Sequence, residues 1–295
     1  MTCDGETGDK PAAPVIGPAG TVDETTDLPH YAVLLAARHA AHRKELCRLL
    51  AENWDGQSLK ILDVACGDGF YTAAFSDILC PPSEIVAVDV SPTFLHWSAS
   101  RGDLLQRAGV AVSFVEADAA RLPFPDGYFD VAWCAQSLIS LPDPAAALRE
   151  MRRVVRSGGA VAVLENDPIH ELQMPWPVDL ELAIRTAERQ FWADRQDRQS
   201  VDAGRTLADR LIEAGLRPAR QRHLSIDRTA PLSSDDAMFL KEYLAALADR
   251  VAGWLEPPIA AEFQRLLSPS SPDYLPSGPS FWMVWHDLIC VSERD

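Results

Sequence analysis

The sequence predicts an α/β protein: a three-layer αβα architecture built on a doubly wound, mostly parallel sheet of seven strands, with helical lid insertions. Three observations predict it. Short apolar runs alternate with amphipathic helical patterns through residues 60–164. The first run ends in an acid and passes directly into a turn of small residues, within LKILDVACGDGFYTAAF at 59–75. After Leu164 the rhythm breaks into long helical stretches before two further strands appear. Alternation of this kind makes βαβ units whose sheet is covered on both faces, and ligands sit at the carboxyl ends of the strands.

Each element has its own signal. A first helix is expected from Leu28, with Asp27 as cap, Pro29 in the first turn, and Leu34, Leu35, Leu46, Leu49 and Leu50 at helical spacing. Strands are expected at 60–64, 84–90, 112–115, 129–133, 160–164, 219–226 and 281–291. Helices are expected at 72–79, from Ser91-Pro92 to Gly109, and from Asp143-Pro144 to Arg156, where Ser157-Gly158-Gly159 closes the last. Further helices are expected at 178–196, 205–214, 233–255 and 258–267. The resulting organisation is an arm at 1–27, rich in Pro, Gly, Thr and acids and expected to be disordered, and one domain at 28–295. Two helical insertions interrupt that domain, at about 167–203 and 230–280. Connections of that length in a compact domain serve as lids, binding elements or packing surfaces.

Composition narrows the partners. The 295 residues carry a formal net charge of −16, which disfavours both a phosphate backbone and anionic lipid. A small-molecule substrate is the expected partner, without nucleic acid. No apolar run reaches the ~20 residues of a membrane span, and the first residues lack the basic start and apolar core of a signal peptide. The six cysteines are scattered, without a CxxC pair, which argues against a zinc knuckle or disulfide framework and fits a reducing cytoplasm. The chain is expected to act as a monomer or homodimer.

The segment Asp63-Val64-Ala65-Cys66-Gly67-Asp68-Gly69 is neither the dinucleotide fingerprint GxGxxG nor a phosphate loop, since no Gly-Lys-Ser/Thr follows. It resembles the first motif of the Rossmann-like, class I S-adenosylmethionine-dependent methyltransferases, commonly (D/E)xGxGxG, with Ala65 in the first glycine position. The resemblance continues in order through VAVDVS, FVEADAARLPFPDGYFDVAWCAQSLISLPDP and ALREMRRVVRSGGAVAVLEND. The last two look like the corresponding stretches of menaquinone- and ubiquinone-type methyltransferases.

That resemblance implies S-adenosyl-L-methionine as cofactor, methyl transfer to a small-molecule acceptor, and an antiparallel last strand. It also implies a cofactor site. Ala65, Cys66, Gly67 and Gly69 form the turn, where absent Cβ atoms let a ligand approach and a helix N-terminus suits the methionine carboxylate. Asp63 meets the ammonium. Asp89 accepts from the ribose hydroxyls. Asp118 and the Ala119 N–H face the adenine edge, Val90 and Leu122 sandwich its ring, Gln136 touches the cofactor after the fourth strand, and Tyr31 closes over it from the first helix.

Displacement at a sulfonium releases a neutral leaving group, so orientation is most of the task and a base is needed only where the acceptor must lose a proton. Related enzymes often keep a histidine just after the fourth strand. Here Gln136-Ser137-Leu138-Ile139-Ser140-Leu141 has none. Glu165, Asp167 and His170 follow the fifth strand at the correct edge, and His170 with Glu165 is the preferred catalytic pair. His286 and His30 are further candidates. The insertions and the last strand hold Trp176, Phe191, Trp192, Tyr243, Trp254, Phe263, Tyr274, Phe281, Trp282 and Trp285. A few of these are expected to face an acceptor pocket for a planar or apolar metabolite while the rest fill the core. A cofactor-binding enzyme of secondary metabolism catalysing a rearrangement, cyclisation or decarboxylation stays open as the alternative.

Overall fold

Pairing of short β-branched runs sets the frame of the computed structural model, which describes residues 15–16, 31–100, 107–194 and 204–295. The rest of the 1–27 arm, the Asp27 and Pro29 helix start, and His30 lie outside the described residues. Within the arm, β1 (Val15–Ile16) pairs antiparallel with β4 (Val110–Glu116).

The parallel core consists of β2 (Lys60–Val64), β3 (Ser83–Asp89), β4, β5 (Phe129–Ala135) and β6 (Val155–Glu165). Two longer strands follow at one edge, β8 (Arg217–Thr229) and β9 (Trp282–Glu293), with the two-residue β7 (Leu172–Gln173) beside them. The order is β1-β4-β3-β2-β5-β6-β9-β7, with β8 on the other side of β9. Since β9 runs antiparallel to both β6 and β8, it alone of the seven long strands is reversed. The chain order turns back between β2 and β5, and ligands bind at such a reversal. The two-residue β1 and β7 add to the seven expected strands.

Side chains alternate across this sheet. Ile61 and Ile85 join the layer of α1 (Ala32–Trp54) and α2 (Phe70–Ile78). Leu62, Val64, Val86 and Val88 join the opposite layer of α4 (Pro144–Val154) and α6 (Leu207–Glu213). Alternation with both faces apolar is what a buried parallel strand requires.

Local signals place the helix starts. Ser91 Oγ accepts from Phe94 N–H ahead of α3 (Pro92–Ser100). Asp143 caps α4 through the Ala146 N–H at 2.8 Å, with Pro144 in the first turn. Ser233 caps α7 (Ser234–Val251). Several element ends shift from expectation by a few residues, and at one of them pairing decides the outcome. The helix expected to reach Arg156 stops at Val154, and β6 begins at Val155. Val155 is fully buried opposite Phe129, so pairing and burial outweigh helical continuation, and a bulge separates this pair from Val131–Ala160.

Helices of both insertions belong to the α1-side core. From α5 (Val178–Asp194) come Leu180 and Ile184, from α7 Phe239, Leu240, Leu244 and Leu247, and from α8 (Pro257–Leu267) Phe263. No helix among the described residues is long and apolar enough to cross a membrane.

Candidate active site

A cavity of about 370 Å³ opens at the carboxyl ends of β2, β3 and β5, under α1 and α7. The volume falls in the ordinary range for small-molecule pockets, ~300–1,000 Å³. One half of it is the turn. Ala65 and Gly67 hold positive φ of 55° and 52°, and Gln136, just past β5, holds 54°. Such conformations in non-glycine residues cluster where ligands bind. At Gly67 a Cβ would lie 3.3 Å from Leu35 of α1, so the turn sits close beneath the helix.

Three carboxylates converge there. Asp63, at 1% exposure, accepts from Thr72 Oγ1 at 2.6 Å. Burial pushes its pKa up to about 7, with Asp68 and Asp89 adding like charge. Asp89, at the tip of β3, accepts from the Gly67 N–H at 3.0 Å through Oδ2 and from the Ser91 N–H at 2.9 Å through Oδ1. Burial raises its pKa as well. Each oxygen keeps a second lone pair for a ligand hydroxyl. Val90 and Tyr31 stand exposed at the rim, Tyr31 with its ring 5.7 Å from that of Phe94.

The other half comes from elements distant in sequence. Arg38 and His39 reach in from α1, Tyr71 from α2, Glu171 from the segment after β6, Phe239, Tyr243 and Arg250 from α7, and Trp285 from β9. Burial pushes Glu171 up to about 7, opposed by the nearby Arg250 and Arg38. Arg250 also donates to the buried Glu188 at 3.0 Å. The Arg38 guanidinium lies over Trp285 at 4.6 Å and pairs with Asp287 at 2.5 Å.

Of the residues singled out from sequence, Tyr31, Asp63, Ala65, Cys66, Gly67, Asp89, Val90 and Gln136 line the cavity together. The others are placed elsewhere. Gly69 lies behind the wall, where a Cβ would meet Ser98 Cβ at 2.9 Å. Asp118 is exposed and caps its own turn through the Ala120 N–H, with Ala119 buried beside it. Glu165 is fully buried outside the lining, its Oε1 taken by the Ser137 and Leu138 N–H groups at 2.8 and 2.7 Å. Burial pushes its pKa up to about 7. His170 is on the surface, its Nδ1 3.1 Å from Asp167 and 2.6 Å from Arg205. His286 contacts Ser225. Tyr243 and Trp285 are the two cavity-lining members of the aromatic set named from sequence.

Sequence reasoning missed Arg38, His39, Tyr71, Glu171 and Arg250 as lining residues. Arg38, His39 and Tyr71 sit within amphipathic helical patterns, and only the charged positions on an otherwise buried helix face hint at them.

Known proteins agree with this geometry. Residues 62–163 match the family described as Methyltransferase domain. Ubiquinone/menaquinone biosynthesis C-methyltransferases are similar: that of Shewanella sp. (strain ANA-3) is 42% identical over 116 residues, 39% of this chain and 45% of the relative. The Shewanella oneidensis enzyme is 41% identical over the same length. The matched segment thus spans less than half the length of these relatives. Among solved structures, a Bacillus halodurans methyltransferase superposes with a TM-score of 0.53 at 16% identity, over 85% of this chain and 99% of its own. A chain from a Haloferax volcanii complex of the Trm112 methyltransferase activator and a methyltransferase gives 0.52 at 16%, over 90% and 94%. The strand order and the acid-tipped β2 and β3 around a small-residue turn thus accompany a match of residues 62–163 to a methyltransferase domain.

Proposed function

We propose that the protein transfers the methyl group of S-adenosyl-L-methionine to a small, planar or apolar acceptor bound in the same cavity. One observation carries this reading. The acid-lined turn and a wall of aromatic, arginine and glutamate side chains share one continuous space.

The residues fit the cofactor. It carries a sulfonium and an ammonium, and Asp63, Asp68 and Asp89 concentrate negative charge around the turn. Gly67 removes the Cβ that would fill the gap under Leu35. When bound, the cofactor supplies a methyl carbon already activated for displacement. Asp63 then faces the ammonium and Asp89 the ribose, while Tyr31 and Val90 cover the adenosyl end from the rim. The insertion helices exclude water from the acceptor half, where Phe239, Tyr243 and Trp285 offer rigid apolar faces. Orientation of the acceptor in line with the methyl carbon is the main catalytic contribution asked of this wall. Similarity to C-methyltransferases favours methyl transfer over a rearrangement or cyclisation using the same cofactor.

Calorimetric titration with S-adenosylmethionine tests the cofactor half. Binding is expected, with a loss of tenfold or more in Asp89→Ala. Absence of heat, or unchanged affinity in the variant, sinks the reading. Stoichiometric S-adenosylhomocysteine with a methylated acceptor separates methyl transfer from other chemistry.

A further inference from the structure

We propose that His39, oriented by Asp68, takes the proton from the methyl acceptor. The acceptor is therefore a group that loses a proton on methylation: a hydroxyl, a phenol, a primary or secondary amine, or an acidic carbon. This rests on the methyl-transfer reading above.

The argument begins with the surroundings of the ring. His39 is 5% exposed and lines the cavity alongside Asp63, Cys66, Gly67 and Tyr71. Its Nδ1 lies 2.8 Å from Asp68 Oδ2. An ionised carboxylate only accepts, so the partner assigns the hydrogen to Nδ1 and leaves the lone pair on Nε2. That Nε2 is buried and has no hydrogen-bond partner among the described residues. A buried polar nitrogen left so costs stability, a cost that a ligand hydrogen bond would remove. The ring is held on three sides. It stacks on Phe70 at 4.4 Å and 15°, meets the edge of Tyr71 at 5.3 Å, and is anchored by Asp68. Asp68 is fixed in turn, its Oδ1 accepting from the Phe70 N–H at 3.1 Å as α2 begins.

His42, one turn along α1, shows the contrast. It is fully buried between Phe239 and Trp285, with no carboxylate on either nitrogen among the described residues, and lies outside the cavity lining. Burial and nearby cations depress its pKa to about 2, so it stays a neutral core side chain. The pair formed by His39 and Asp68 differs in having an orienting acid on one nitrogen, a bare second nitrogen and a position in the cavity wall. A base oriented by a third group is the recurring arrangement for proton abstraction.

The step balances as follows. The acceptor would form its bond to the methyl carbon with a lone pair of oxygen or nitrogen or, for an acidic carbon, with the pair its departing proton leaves behind, while the methyl–sulfur bond would break and its electrons stay on sulfur. The acceptor's proton moves to Nε2, its bonding pair remaining on the acceptor. The resulting imidazolium is stabilised by Asp68 and returns its proton to water once product leaves.

Two measurements need no acceptor. In protein isotopically labelled with 15N-histidine and saturated with S-adenosylhomocysteine, ring 15N shifts should report hydrogen on Nδ1 of His39 and a bare Nε2, with that preference lost in Asp68→Asn. Calorimetry should give S-adenosylmethionine an affinity within threefold of wild type in His39→Gln. Hydrogen on Nε2 in the wild-type complex overturns the proposal. So does a tenfold loss of cofactor affinity in His39→Gln, which would place the ring at the cofactor's methionine end. Failure of the wild type itself to bind cofactor would instead sink the methyl-transfer reading.

Turnover is then followed as S-adenosylhomocysteine formation with a simple phenol, a primary amine, a 1,3-diketone, a tertiary amine and a thioether. Methylation confined to the first three, with kcat reduced about 10²–10⁴-fold in His39→Gln, supports the assignment. Turnover of the tertiary amine or thioether, or of none of the five by cofactor-competent enzyme, overturns the acceptor class.

Discussion

Asp63 is completely buried, hydrogen-bonded by Thr72, and held by burial at a pKa of about 7 before any ligand arrives. On the proposed function a cofactor ammonium would lie beside it and favour the ionised form, so binding would draw a proton off the carboxyl. Affinity for S-adenosylmethionine is therefore expected to rise with pH toward about 7–8, falling by up to about tenfold per unit below that. Titrations in two buffers of different ionisation enthalpy would show the released proton, and Asp63→Asn would flatten the profile. PH-independent affinity between about 6 and 8 contradicts this. The neighbouring turn allows a second test. Gly69 has φ 73° and no room for a Cβ beside Ser98, whereas Ala65 already tolerates φ 55°. Gly69→Ala is expected to lose about 1–3 kcal/mol in denaturant unfolding, and Ala65→Gly to lose none. The acids, the turn and Gln136 were legible in sequence because they lie where strands end. Asp118, also at a strand end, caps its own turn through the Ala120 N–H.

The last residue of β6 organises a neighbouring loop. Glu165 reaches the Ser137 and Leu138 N–H groups after β5, which carries Gln136 and Ser137 to the cavity edge. Sequence placed this glutamate correctly at a strand end but could not show which way its carboxylate points. Its pKa is raised from the ordinary 4.5 to about 7 by burial. The folded protein thus holds this proton over a range where the unfolded chain has released it. The stabilisation is fully present below about 4.5 and lost as pH rises through about 7, a change on the order of 3 kcal/mol. Glu165→Gln should remove this part of the pH dependence, read from urea midpoints between pH ~5 and ~8. A variant whose stability tracks wild type across that range counts against the explanation. The helix α7 was legible as helical from its spacing and Ser233 cap. Its double use was not: Leu240, Leu244 and Leu247 fill the core while Phe239, Tyr243 and Arg250 face the cavity.

At the scale of the molecule, one buried pair ties the ends of the domain together. Arg38 of α1 meets Asp287 of β9, 249 positions away, and Trp285 stacks on the same guanidinium and donates to the same carboxylate. Removing one member leaves the other charged and buried. Asp287→Ala is expected to lose about 3–5 kcal/mol in denaturant unfolding, with a smaller loss in Asp287→Asn. Equal, small effects would show that water reaches the pair. Sequence by itself determined the strand and helix succession, the reversal that makes a ligand crevice, and the acids at its mouth, because periodicity, caps and strand-end turns act over a few residues. Tertiary structure alone decided the other half of the site. It set His39 against Asp68, Arg38 against Asp287 and Arg250 beside Glu171. Such pairings depend on how helices from opposite ends of the chain bury their apolar faces, and no local pattern encodes which charged residue then meets which.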